Sequence, residues 1–121
     1  MQVEKRLAEL GIDLPAATSP AANYVNAVLT GNLLFLSGKG PYRPDGSLHT
    51  GIVGQDVSVE DAYQHARLTG LHLISTMKAE LGDLDRVARI VGRGRGRAGA
   101  CCAARRIRVT LGCPVTTNCS P

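Results

Sequence analysis

The chain has 121 residues, 44% of them apolar, with three Tyr, one Phe and no Trp. That length suits one domain, and that apolar content excludes a wholly disordered chain. A run of about 18 apolar residues and a cleavable leader pattern are both absent, which excludes a membrane-spanning helix and predicts a soluble, cytoplasmic protein. The net charge of +4 averages two unlike parts. Residues 1–92 carry eight Lys/Arg against ten Asp/Glu, whereas residues 93–121 carry six Arg, no acid and all four cysteines.

Val3, Leu7 and Leu10 fall at i, i+4 and i+7 among charged neighbours, which predicts a short amphipathic helix. Gly11 stops it, and Pro15 keeps the chain from continuing as helix. The segment "LPAATSPAA" reads as a loop. Tyr24 to Thr30 and Leu33 to Ser37 then read as two strands joined by the Gly31-Asn32 turn. Because "LLFL" is continuously apolar, the second strand is expected to be covered on both faces. Ser37-Gly38 ends it, and residues 39–51 are rich in Gly, Pro and Asp and predict a loop. "GKGP" is not a phosphate loop, since it lacks the Gly-x4-Gly-Lys-Ser/Thr pattern.

The strongest local signal is a helix from about Val59 to Leu81. Ser58 and Asp61 form a capping box in sequence. Ala62, Ala66, Gly70, Leu73, Ile74, Met77 and Leu81 make one small-to-apolar face, and Gly82 ends the helix. "DLDRVARIVG" leads into a strand over roughly Arg86 to Val91. His65 and His72 lie on the long helix and His49 in the loop. With no ligating partner nearby in sequence, all three are expected to be ordinary half-exposed histidines. Tyr63 is expected to pack rather than to act. Helix, hairpin, long helix and strand together predict an α+β fold with helices on one face of a sheet. Three strands and one long helix leave that unit short of a complete sheet, with an open edge after Val91.

"NYVNAVLTGNLLFLSGKGP" and "GQDVSVEDAYQHARLTGLHLISTMKAELGDLDRVARIV" resemble the RidA/YjgF family of reactive-intermediate imine deaminases, also called the L-PSP endoribonuclease family. The resemblance spans about residues 3–92, and "EKRLAELGIDLP" is similar to one branch of the family. It implies a chorismate-mutase-like (YjgF-like) mixed sheet with helices packed on one face, assembled as a homotrimer with ligand sites between subunits. It further implies hydrolysis of small enamines or imines such as 2-aminoacrylate to a keto acid and ammonia, with no cofactor and no metal. Tyr24, Ser37 and Gly38 match substrate-binding positions of the family. Lys39 stands where many members have Gln, which would alter the charge of the site wall. The family's carboxylate-binding arginine and water-orienting glutamate have no assignable counterpart. Arg105, Arg106 and Arg108 lie outside the expected spacing, and there is no acid after Asp85.

Residues 93–121, beginning "RGRGRAGACCAARRIR", admit three readings. Six arginines suit phosphate contacts with RNA, but no aromatic residue is there to stack on bases. The cysteines at 101, 102, 113 and 119 lack zinc-ligand spacing, and disulfides are not expected in a cytoplasmic chain. Gly, Arg, Ala, Pro and Cys together are what a GC-rich coding sequence gives when read out of frame. The favoured expectation is a replaced C-terminus outside the fold, with the domain confined to residues 1–92. A non-catalytic binding module using this basic tail is the rival expectation.

Overall fold

A computed structural model describes residues 1–20, 22–93 and 105–111. Helix α1 (Gln2–Glu9) precedes the hairpin of strands β1 (Ala27–Thr30) and β2 (Leu33–Lys39). Helix α2 (Val59–Leu81) follows, then a 3-10 turn (Leu84–Arg86), β3 (Val87–Arg93) and β4 (Arg105–Leu111). The sheet order is β1-β2-β4-β3, and all three pairings are antiparallel. The architecture is α+β, with α2 packed on one face of the sheet.

Local chemistry sets the helix limits. The Ser58 hydroxyl accepts a hydrogen bond from the Asp61 backbone N–H at 3.1 Å, filling one of the unpaired donors of the first turn of α2. Gly82 stops the helix at φ 76°, a left-handed conformation that glycine adopts without a side-chain clash. Replacing Ser58 with Ala should cost about 1 kcal/mol, read as a lower denaturation midpoint.

The core joins β2 to the second half of α2. Leu34 and Leu36 meet Leu73, Met77 and Leu81, with Leu84 from the 3-10 turn. Leu7, Leu14, Ala27, Ile74 and Val87 pack partly buried around them. Alternation along β2 turns Leu34 and Leu36 inward and leaves Phe35 38% exposed. The expected two-sided cover of "LLFL" is therefore corrected: α2 covers one face, and period-two geometry presents Phe35 to the other.

The tail contributes a central strand. Leu34 pairs with Val109 and Phe35 with Arg108, while on the other side Ile90 pairs with Val109. The expectation that residues 93–121 lie outside the fold is thus corrected for Arg105–Leu111. So is the open inner edge after Val91, because β4 pairs with β3 there. The physical reason is legible in the segment itself: Ile107, Val109 and Leu111 alternate with polar residues at the period of a strand. An inserted strand also satisfies the backbone groups that β2 and β3 would otherwise leave unpaired. Cys101, Cys102, Cys113, Cys119, Arg95 and Arg97 lie outside the described residues.

The start of the chain is tied to the turn after α2. Asp85 accepts from the backbone N–H groups of Gln2 (2.7 Å) and Val3 (2.9 Å) and from the Met1 ammonium. Glu4 accepts from the Leu84 backbone N–H at 3.2 Å. These donors hold the Asp85 carboxyl at about 2, the ammonium bond contributing most. A carboxylate lowered on folding stabilises the fold above its ordinary pKa, and that contribution is lost as pH falls toward about 2. Asp85→Asn should therefore lower thermal stability at neutral pH and flatten its acid dependence below about pH 4, measured by melting across an acid series.

Candidate functional site

The site is built where the segment before β1 meets the end of β2. The β2–β4 register shifts between Leu36 and Lys39, so Ser37-Gly38 sit in an irregular stretch of the ladder. Such a bulge re-aims the chain at the end of a strand. The Ser37 backbone N–H donates to the Asn26 carbonyl at 2.9 Å, and its hydroxyl donates to the Val25 carbonyl at 2.5 Å. The hydroxyl is thus engaged with the segment carrying Tyr24. Tyr24 itself is 40% exposed, and its backbone N–H donates to the Ala22 carbonyl at 2.8 Å.

Lys39 does not lie on the wall as an exposed charge. It is buried, and its ammonium donates to Asn26 Oδ1 (2.5 Å), Thr18 Oγ1 (3.2 Å) and the Thr18 carbonyl (3.4 Å). Asn26 Nδ2 closes the ring by donating to the Thr18 carbonyl at 2.8 Å. Burial pushes the Lys39 pKa down. The expected change in wall charge is corrected accordingly: the side chain ends among three oxygens of the preceding arm.

Tyr42 is a site candidate that the sequence did not single out. Its phenol pKa is raised, first by burial and then by the charge of the Tyr24 phenolate. The edge of its ring meets His72, with centroids 5.6 Å apart at 83°. His72 Nε2 lies 3.3 Å from the Tyr42 carbonyl oxygen. His72 is therefore buried at 4% exposure, which corrects the expected half-exposed histidine. His49 and His65 stack on each other instead, centroids 4.3 Å apart. Burial, with Arg43 and His65 nearby, pushes the His49 pKa down.

The strand register gives the tail arginines a backbone position. Lys39 pairs with Arg105 and Leu36 with Ile107, so Arg106 stands across from Ser37-Gly38. The sequence spacing alone had not connected these residues, because the connection is made by pairing between distant strands.

Among the described residues, Glu4, Asp83 and Asp85 bring one ligand atom each within 4.8 Å of one another. Their hydrogen bonds tie the start of α1 to the turn after α2, which gives them a structural task. Among the described residues, no helix is long and apolar enough to cross a membrane.

The geometry can therefore present the Tyr24 segment beside a backbone bulge that β4 flanks, with Tyr42 packed on His72 in the loop that follows. A family model described as "YjgF/chorismate mutase-like, putative endoribonuclease" matches residues 4–101. Protein TCP17 of Trypanosoma cruzi is 44% identical over 90 residues, covering 74% of this chain and 56% of that protein. The crystal structure of a "putative endoribonuclease" from Shewanella oneidensis superposes with a TM-score of 0.69 at 33% identity, covering 74% of this chain and 60% of that one. Protein Atu1372 of Agrobacterium tumefaciens, of unknown function, superposes with a TM-score of 0.68 at 26% identity, covering 91% and 94%. The chain thus spans little more than half the length of the first two relatives. With the fold, the bulge and the matched segment in agreement, the chain belongs to the YjgF/chorismate-mutase-like family.

Proposed function

We propose that this chain hydrolyses small reactive enamines and imines of the 2-aminoacrylate type to a keto acid and ammonia. The enamine tautomerises to its imine, and water adds to the imine carbon. The resulting carbinolamine collapses to the carbonyl and releases ammonia, so atoms balance without a redox step or a cofactor. Tyr24, Ser37 and Gly38 form the substrate wall, joined by Tyr42.

The single observation that carries this reading is the Ser37-Gly38 bulge fastened to the Tyr24 segment, in a chain of this family. The backbone position of Arg106 across from that bulge supports a carboxylate-binding role for a β4 arginine. In the same reading the chain assembles as a homotrimer. Support comes from apolar residues left exposed on and beside the hairpin, among them Val25, Val28, Leu29 and Phe35.

The test is keto-acid and ammonia release from enamine generated in situ by a coupled lyase, with and without this chain. No acceleration at any protein concentration would reject the reading. The family description and the Shewanella structure's name favour a second one: contact with RNA through the arginines of β4. RNA retention that falls steeply with salt, without ammonia release, would favour that alternative.

A further inference from the structure

Lys39 is 1% exposed and is the only Lys or Arg among the buried side chains described. An ammonium taken out of water loses its solvation, and the usual remedy is a carboxylate. None is present. Every Asp and Glu of the sequence lies at or before Asp85, within the described residues, and none forms an ion pair with Lys39.

Three neutral oxygens take that place, matching the three donors of an ammonium. All three belong to Thr18 and Asn26, the two residues that bracket Tyr24. Asn26 in turn donates to Thr18 and accepts, through its carbonyl, from the Ser37 backbone. The arm is thereby folded around a single nitrogen, and that nitrogen projects from the residue directly after Ser37-Gly38.

We propose that Lys39 is a positioning residue, whose ammonium fixes the arm bearing Tyr24 against the Ser37-Gly38 bulge. Its consequence for turnover rests on the deaminase reading; the strap itself does not. A neutral residue could fill the same space, so a buried cation here makes sense as a three-point clamp. Burial lowers its pKa, consistent with the cost of holding the charge there.

The test uses the full chain with Lys39→Met and Lys39→Gln. Met is apolar and close in size, and exchanging a buried ion for such a residue is often neutral or stabilising. Lys39→Met should therefore keep or raise the melting temperature. Amide hydrogen exchange at residues 22–26 should nonetheless rise by about tenfold or more, as expected for local release of a segment. Lys39→Gln keeps a donor and should restore part of the protection. Where turnover is measurable, Lys39→Met should lower kcat by about tenfold or more while KM changes little.

Unchanged exchange at 22–26 in a folded Lys39→Met protein would overturn the proposal. So would a rise spread evenly over the chain with a falling melting temperature, which is general destabilisation. A change in KM alone would make Lys39 a substrate-binding charge and would overturn positioning as well. If Lys39→Met does not fold, Asn26→Ala removes the clamp from the arm's side and is read by the same exchange. Absence of turnover in the parent chain counts against the deaminase reading, while exchange still decides the strap.

Discussion

Keto-acid release from 2-aminoacrylate is expected to be at least about a hundredfold slower with this chain than with a family member that has the complete site. Imine hydrolysis needs the substrate carboxylate held and the attacking water aimed. The arginines of β4 stand beside Ser37-Gly38 in the strand register, so the first requirement has a candidate. The second has none after Asp85, since no acid follows it in the sequence. A hydrogen bond to a charged group contributes about 1.5–3 kcal/mol, and each 1.36 kcal/mol is a tenfold change in rate. Loss of water positioning adds to that. Against this slow background, Ser37→Ala should alter turnover little, because the Ser37 N–H bond to the Asn26 carbonyl and the Lys39 contacts still hold the Tyr24 segment against the bulge. Rates measured side by side at equal enamine flux test both statements. Turnover equal to that of the complete relative would show that another group aims the water.

Leu34→Ala or Leu73→Ala should come close to unfolding the chain. These are the two most buried apolar side chains of the core among the described residues, and they face each other's elements across the sheet–helix interface. Truncating a buried Leu typically costs about 2–5 kcal/mol, because the cavity left behind only partly collapses. A domain of this size holds only about 5–15 kcal/mol in total. The melting temperature should fall by more than about 10 °C, measured by circular dichroism. The same truncation at the half-exposed Phe35 should cost less in an isolated chain. Equal losses at Leu34 and Phe35 would mean that the outer face of the sheet is also buried.

What could be read from the sequence was whatever is decided locally. Helix α2 runs from Val59 to Leu81 as its cap, its face and Gly82 indicate. Strand β2 begins where the Gly31-Asn32 turn ends. The tail strand is hidden by composition: arginines at 105, 106 and 108 outweigh the short alternation of Ile107, Val109 and Leu111. The candidate site suffered differently. Tyr24, Ser37 and Gly38 carried the family pattern, but Lys39, Tyr42 and His72 acquire their roles only from tertiary neighbours. A lysine at the end of a strand reads as solvent-facing, and only the return of Thr18 across it makes it a clamp. His72 follows Leu71 on a helix whose apolar stripe does not include it, yet the loop after β2 lays Tyr42 over its ring. Burial by a loop leaves no periodic trace.

Strand β3 has a consequence for handling the protein. Ile90 is 53% and Val91 47% exposed, where the β3–β4 register shifts between Ile90 and Gly92. The segment thus shows two adjacent apolar side chains to solvent, and it borders the sheet. A short β-prone stretch of this kind is a template on which further copies can stack into fibres. Arg89 and Arg93 punctuate its sequence, and like charges brought into register between copies repel one another, as gatekeeper residues do. Salt shortens the reach of that repulsion to about 3 Å at 1 M. Concentrated solutions should accordingly stay clear at low ionic strength and cloud as salt is added.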